Sequence, residues 1–585
     1  MRNSAASHPV QYSLNPNGTF VIENYNQAPA FSSFFPGIAG LWGIPMWVFY
    51  VNRGQGICSF GIESKDKSIL EFQPASKAYR LTSSEGFRTF LKIRKDAQAI
   101  FHEPFRDQGH RTTTRMLLTS HDLTLEEVFP SLGLVTRVNY FTMPEEPYAA
   151  LVRRLTLENV SKKKYDIELV DGLPVIIPYG ASDWLLKNMS RTLEAWVEVE
   201  NLNKRVPYYH LKVEVNDRPT TTRIHEGNFY LGFDATASPG KLLEPVVETS
   251  CIFGSGDDFS SPQGFLKQKR FTPPTRQKTA NRMPSAMVFH HFVLGPQAKR
   301  EITSLIGHAP GISWTHRIAR QVLQKGFIEK KSEHNRAVIS EIKNFALTNS
   351  SSQPLNQYST QTFLDNVLRG GLPISFRTKE GEVIFNVFSR KHGDLERDYN
   401  FFVLKPTYFS QGNGNYRDIN QNRRNDVWFN PHIKDQHLLS FINLLKADGY
   451  NPLILKGVNF WLEDRNVIET LLSECVREKN HDEIRALLIK GFQPGELLKK
   501  ITRDPIPLKI KPQEFLERIL GLCHKREIVE HGDGYWTDHW TYNLDLIESF
   551  LSLYPDELDN FLLQKKYLVS PSIPFTSGIV ITVIS

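Results

Sequence analysis

Residues 135–141 (Val-Thr-Arg-Val-Asn-Tyr-Phe), 150–157 (Ala-Leu-Val-Arg-Arg-Leu-Thr-Leu) and 165–170 (Tyr-Asp-Ile-Glu-Leu-Val) decide how the first half of this chain folds. Each is a short apolar or alternating run, and a strand period of two places alternate side chains on one face. The same texture extends in both directions. Phe20-Val21-Ile22, Gly56 to Ile62, Tyr209 to Val215 and Phe229 to Phe233 are similar runs. Turn-forming stretches separate them, such as Asn15-Pro16-Asn17-Gly18, Asn216-Asp217-Arg218-Pro219 and Gly254-Ser255-Gly256-Asp257-Asp258. Many short strands at this spacing predict a large β-sandwich over residues 1–310. The basic polar stretch from Ser260 to Ser285 reads as a loop.

Near residue 311 the texture changes. Ser313 to Lys331 and Glu333 to Thr348 lack turn signals and carry Ile318, Val322, Phe327, Ile342 and Phe345 at helical spacing, which predicts a helical linker over 311–350. Helical patterns then recur at Thr360 to Arg369, His437 to Asp448, Ile468 to Arg477, Ile484 to Lys490, Pro512 to Leu522 and Leu544 to Leu553. Repeated helices with long polar loops and no β-α alternation suit an α/α toroid over 351–562. The tail, 563–585, ends Gly578-Ile579-Val580-Ile581-Thr582-Val583-Ile584-Ser585 and does not read as a helix; a truncated or frame-shifted copy is expected.

At 585 residues the chain is expected to hold two to four domains. Its net charge of +7 is spread over 70 basic and 63 acidic residues, which is no nucleic-acid footprint. Cys58, Cys251, Cys475 and Cys523 lie far apart with no Cys-x-x-Cys pair, which argues against a zinc site or disulfide framework and fits a reducing, cytoplasmic setting. No metal or cofactor is expected. The charge-free stretch from Asn24 to Asn52 raises a membrane reading, but Pro29, Pro36 and Pro45 with Gly37, Gly40 and Gly43 make a poor helix. Met46 to Val51 reads instead as a buried strand.

Residues 411–426, Gln-Gly-Asn-Gly-Asn-Tyr-Arg-Asp-Ile-Asn-Gln-Asn-Arg-Arg-Asn-Asp, carry the chemistry. Gly412 and Gly414 allow a sharp bend or a close backbone approach. Tyr416, Arg417, Asp418, Asn420 and Gln421 then offer a ring for a sugar face, hydrogen-bonding groups for hydroxyls and one carboxyl group to move a proton. A polar surface loop is the plainer reading of the same residues.

Tyr416-Arg417-Asp418-Ile419-Asn420-Gln421 resembles the aromatic-Arg-Asp-x-x-Gln signature of the inverting glycoside phosphorylases related to cellobiose phosphorylase. Asn422 follows where the family has Asp, and Tyr416 stands where many members have Trp. Thr362 to Gly371 and Ser389 to Asp394 also look like segments of such proteins, some of them similar to β-1,3-glucan phosphorylases. The resemblance implies an incomplete six-hairpin (α/α) barrel after the sandwich, with Asp418 as general acid. It further implies inorganic phosphate as co-substrate, cellobiose or a β-1,3-gluco-oligosaccharide as substrate, and α-glucose 1-phosphate as product. Tyr416, Arg417, Gln421, Asp365 and Arg369 are expected at the sugar or phosphate. Asp538 and Trp540 join them from Glu530 to Tyr542, a loop ahead of a helix with an acid–Trp pair similar to the family's. A homodimer is a possible assembly.

Arg417, Arg423 and Arg424 lie close to Asp418 in sequence and favour its ionised form, unless they point elsewhere or bound phosphate offsets them. Two other readings remain open. An inverting hydrolase needs a carboxylate base, for which Glu530 or Asp533 would serve, and a non-catalytic glycan-binding remnant needs none.

Overall fold

Strand alternation builds the first half. In the computed structural model Ala149–Asn159 pairs antiparallel with Leu134–Thr142 on one side and Lys299–Ala309 on the other, in the registers Val138↔Leu155 and Leu155↔Ile302. The structure describes residues 9–95, 98–106, 112–256, 258–378, 381–391, 401–446, 449–477, 480–503, 506–532 and 536–563. The tail from 564 onward, Asp394 and Asp533 lie outside the described residues.

Among those residues the chain divides into two units, one from 9–39 and 43–340 with Phe401, the other from 40–42, 341–391 and 402–563. The first unit holds an eleven-stranded antiparallel sheet that runs from Gln11–Leu14 at one end to Val197–Glu200 at the other. A five-stranded sheet is centred on Tyr165–Leu173, between Ala286–Leu294 and Arg88–Lys95. The uncharged stretch that raised the membrane reading supplies Trp47–Val51, a strand buried along its whole length in a four-stranded sheet. No helix among the described residues is long and apolar enough to cross a membrane.

Two sheets stacked face to face bury apolar residues from both. Here they also bury a charge. Arg153, on the large sheet, is fully buried and forms an ion pair with Asp171 of the five-stranded sheet. Its guanidinium also donates to Gln55 Oε1 at 2.6 Å, Thr89 Oγ1 at 3.1 Å and the Tyr140 hydroxyl at 3.2 Å. Thr89 donates in turn to Asp171 Oδ1 at 2.6 Å. Burial pushes the Tyr140 phenol up to about 12, against the pull of Arg153. The cation is therefore surrounded by acceptors, which is the condition under which a charge is tolerated in a core.

The stretch 311–350 forms two helices, Ile312–Val322 and Phe327–Asn344. Ile318, Ala319, Val322 and Ile328 pack into the first unit's core with Phe229, Leu231 and Phe233, and the boundary between the units falls at residue 340.

The second unit is mostly helical, as its sequence pattern predicts. Its longest helices are Gln353–Gly370 and Asp538–Leu553, with Arg465–Cys475, His481–Lys490, Pro494–Arg503 and Pro512–Leu520 among the shorter ones. It also contains strands that the helical reading did not anticipate. Leu372–Thr378 pairs with Gly381–Val387, and Ile454–Trp461 lies between Gly414–Asn415 and His524–Glu530. The last of these, His-Lys-Arg-Glu-Ile-Val-Glu, is too charged to stand out as a strand, and a bulge between Leu455 and Gly457 breaks its partner's alternation.

Asp171→Asn should destabilise the first unit by about 3–5 kcal/mol, because the amide keeps the shape but leaves the Arg153 charge uncompensated. Urea denaturation followed by near-UV circular dichroism measures this. A loss below about 1 kcal/mol would show that the neutral acceptors around Arg153 suffice without the carboxylate.

Candidate active site

The segment 411–426 is a helix preceded by a tight approach rather than a surface loop. A Cβ at Gly412 would meet Val403 O at 1.8 Å, so that position requires glycine, while one at Gly414 would meet Ile419 Cδ1 at 2.4 Å, a side chain that would have to shift. Tyr416–Arg423 is then α-helical. Tyr416, Ile419, Asn420 and Arg423 are buried, an i, i+3, i+4, i+7 stripe, and the intervening residues Arg417, Asp418 and Gln421 face outward.

This corrects the expectation for Tyr416. Its ring is fully buried, edge-on to Phe441 at 5.3 Å and 5.0 Å from the His539 ring, where it is not presented to a sugar face. Burial pushes its phenol above its ordinary value. The hydroxyl donates to Asn543 Oδ1 at 3.0 Å, and Asn420 Nδ2 donates to the same oxygen at 2.6 Å. Asn543 Nδ2 donates to Asn451 Oδ1 at 3.3 Å. These bonds fasten the short helix to Asp538–Leu553.

On the outward face Asp418 sits in the first turn, where the helix N-terminus favours a carboxylate. Asn415 Nδ2 donates to its Oδ2 at 3.0 Å and Arg417 Nε to its Oδ1 at 3.4 Å. Arg417 also reaches Asp538, with Nη1 3.8 Å from Oδ2. One guanidinium is thus shared by two carboxylates that the sequence holds far apart. Asp538 opens the long helix, and its Oδ1 is buried with no hydrogen-bond partner among the described residues. Trp536 and Trp540 flank it, both with exposed rings.

Lys391 lies in the stretch Ser389 to Asp394, where no local pattern singles it out. Its side chain is half-buried, and burial lowers its amine below the usual lysine range while nearby Asp418 pulls it back up. His539 lies in the Glu530 to Tyr542 stretch beside Asp538. It is buried behind Asp538, and burial lowers its imidazole, with Asp538 and Asp418 acting upward and Arg417 downward. No local pattern marks this histidine; packing alone sets its ring against Tyr416.

Other expected members lie differently. Two of the three arginines point away from Asp418: Arg423 Nε donates to Gly370 O at 2.6 Å, and Arg424 pairs with Asp545. Asp365 and Arg369 bond each other, Nε to Oδ2 at 3.1 Å, one turn apart on Gln353–Gly370. Gln421 is exposed. Glu530, a candidate base, pairs with Lys456 at 2.5 Å.

Beneath the helix lies a second polar group. His437 is buried, with Nε2 3.1 Å from Asn386 Oδ1 and Nδ1 3.6 Å from Asp426 Oδ2. Burial holds the imidazole well below its usual range, with Arg423 and Lys525 acting in the same direction. Burial also pushes the Asp426 carboxyl well up, against the pull of Arg423.

No family model matches the chain, and no curated protein matches it. Among solved structures the chain is similar to a bacterial glucoamylase complexed with acarbose, at 10% identity and a TM-score of 0.35, over 73% of this chain and 53% of that one. It is also similar to a human-microbiome protein named as a kojibiose phosphorylase, at 9% identity and a TM-score of 0.28, over 61% of this chain and 37% of that one. The chain therefore spans about half of the first protein and less of the second.

Asn543→Leu should strand the Tyr416 hydroxyl and the Asn420 amide, at a cost of about 1–3 kcal/mol for each group left unpaired. Thermal melts of the variant check this, and an unchanged midpoint would mean that the helix is held by packing alone. His437 generates a pH dependence. The unfolded chain takes up its proton near the ordinary value of about 6.5 while the folded chain does not, so stability falls as pH drops below that value. Asp426 acts in the opposite direction, because its raised carboxyl favours the folded state at low pH. The test is therefore the difference between wild type and His437→Gln, whose stability should fall less between neutral and mildly acidic pH.

Proposed function

We propose that this chain cleaves a β-glucosidic bond by inverting phosphorolysis. Asp418 protonates the leaving oxygen, and inorganic phosphate attacks the anomeric carbon from the opposite face to give α-glucose 1-phosphate. Cellobiose or a β-1,3-gluco-oligosaccharide is the substrate. The observation that carries this reading is the outward face of Tyr416–Arg423. A part-exposed carboxyl group stands there on a fixed helix, paired with the Arg417 guanidinium and within the field of the Lys391 amine. Positive charge around a single acid suits an anionic nucleophile, which needs no second carboxylate to activate it. The resemblance of the 416–421 motif to inverting glycoside phosphorylases supports the same assignment. Arg417 and Asp538 contact the sugar or phosphate, and the exposed Trp540 ring stacks on a sugar face.

A second reading has its own observation. Asp538 shares Arg417 with Asp418 and presents a second carboxylate, which an inverting hydrolase would use as general base on water. Product analysis separates the two. β-Linked gluco-oligosaccharides incubated with and without phosphate should release sugar 1-phosphate only with it. Free sugar at the same rate in both would establish hydrolysis, and no product from any substrate would leave a glycan-binding protein.

Asp418→Asn should lower kcat by about 10²–10⁴-fold on an unactivated disaccharide, because the amide cannot donate the proton. The loss should shrink on a substrate whose leaving group needs no protonation. Lys391→Met should raise the KM for phosphate more than that for sugar. Full activity in Asp418→Asn would remove the acid assignment.

A further inference from the structure

Far from Asp418 in sequence, the first unit gathers three potential metal ligands that the proposed reaction does not use. Glu198 and Glu200 lie on Val197–Glu200, the last strand in the order of the large sheet, and His210 lies on its partner Tyr208–Leu211. The register Glu198↔His210 sets these two side chains directly across the ladder. The strand period of two then brings Glu200 to the same face. One ligand atom from each of the three lies within 4.8 Å of the others.

The histidine is oriented from outside the trio. His210 is 2% exposed, and its Nδ1 lies 2.9 Å from Leu211 O. A carbonyl only accepts, so Nδ1 carries the hydrogen and Nε2 is turned toward the carboxylates, 3.0 Å from Glu200 Oε2. A backbone carbonyl that fixes one ring nitrogen so that the other can ligate is the usual support of a metal-bound histidine. A proton on Nε2 would answer one carboxylate. The trio has two, and neither Glu198 nor Glu200 has an ion pair with lysine or arginine among the described residues.

We propose that Glu198, Glu200 and His210 bind a divalent first-row transition-metal cation, for which one imidazole and two carboxylates with solvent completing the shell are suitable ligands. The ion links the end strand to its neighbour. A cysteine count cannot detect such a site, because it contains no thiolate.

Zinc ion is the probe. The full chain, stripped with a chelator and dialysed, should take up one Zn²⁺ per chain in a saturable titration. Binding should raise the thermal midpoint of the first unit, since only the folded sheet assembles the ligands. Excess Mg²⁺, which prefers all-oxygen shells, should leave the zinc in place. Glu198→Gln and His210→Gln should each weaken uptake by at least about tenfold, the range seen when even supporting groups are lost. Glu198 is only half-buried, so its variant keeps the test decisive if the buried His210→Gln fails to fold. Absence of saturable uptake by the wild-type chain, or unchanged affinity in folded Glu198→Gln, would overturn the assignment.

Discussion

A single side-chain oxygen, Oδ1 of Asn543, sets the geometry of the candidate site. It accepts hydrogen bonds from the Tyr416 hydroxyl and the Asn420 amide, two positions one turn apart on the same buried stripe. Rotation of that helix about its axis would break both at once, and in a buried setting neither donor finds water as a substitute. With the stripe fixed, the outward face follows. Asp418 lies about 200° around the helix from Tyr416, and so is directed away from the core. The tyrosine thus helps to position Asp418, and its own ring is buried.

The first unit meets a related demand with charge. Arg153 lies between two sheets, and its ion pair with Asp171 joins them at one point of the core. A buried pair of this kind adds less to net stability than its attraction suggests, because both ions have been stripped of water. Its larger effect is on arrangement. A one-residue slip of either strand would turn its charge to the opposite face and leave the partner alone in an apolar layer.

Depth in the second unit shifts the balance between charged and neutral forms. Inside, burial favours the uncharged forms of both His437 and Asp426. Outside, Arg417 is shared between Asp418 and Asp538, while Arg423 and Arg424 are occupied elsewhere. The local concentration of arginine in the sequence therefore exaggerates the positive field at Asp418. The Asp418 charge in turn acts to raise the Lys391 amine, against the burial that lowers it.

The sequence by itself determined the local features. Runs such as 135–141 and 150–157 announced strands, the patterns at Ile468 to Arg477 and Pro512 to Leu522 announced helices, and Gly412 and Gly414 announced a sharp bend or a close backbone approach. Each follows from periodicity or from the absence of a Cβ, which are properties of neighbouring residues. The 416–423 stripe was not legible as a helix face, because two of its four members, Asn420 and Arg423, are polar and are buried with partners supplied from elsewhere in the chain. Tertiary structure decided the rest. It chose which face of that helix is inside, brought Asp538 to the guanidinium that Asp418 also pairs with, formed a sheet from the charged strand His524–Glu530, and set His210 opposite Glu198. These outcomes depend on contacts between residues distant in the chain, which no local period records.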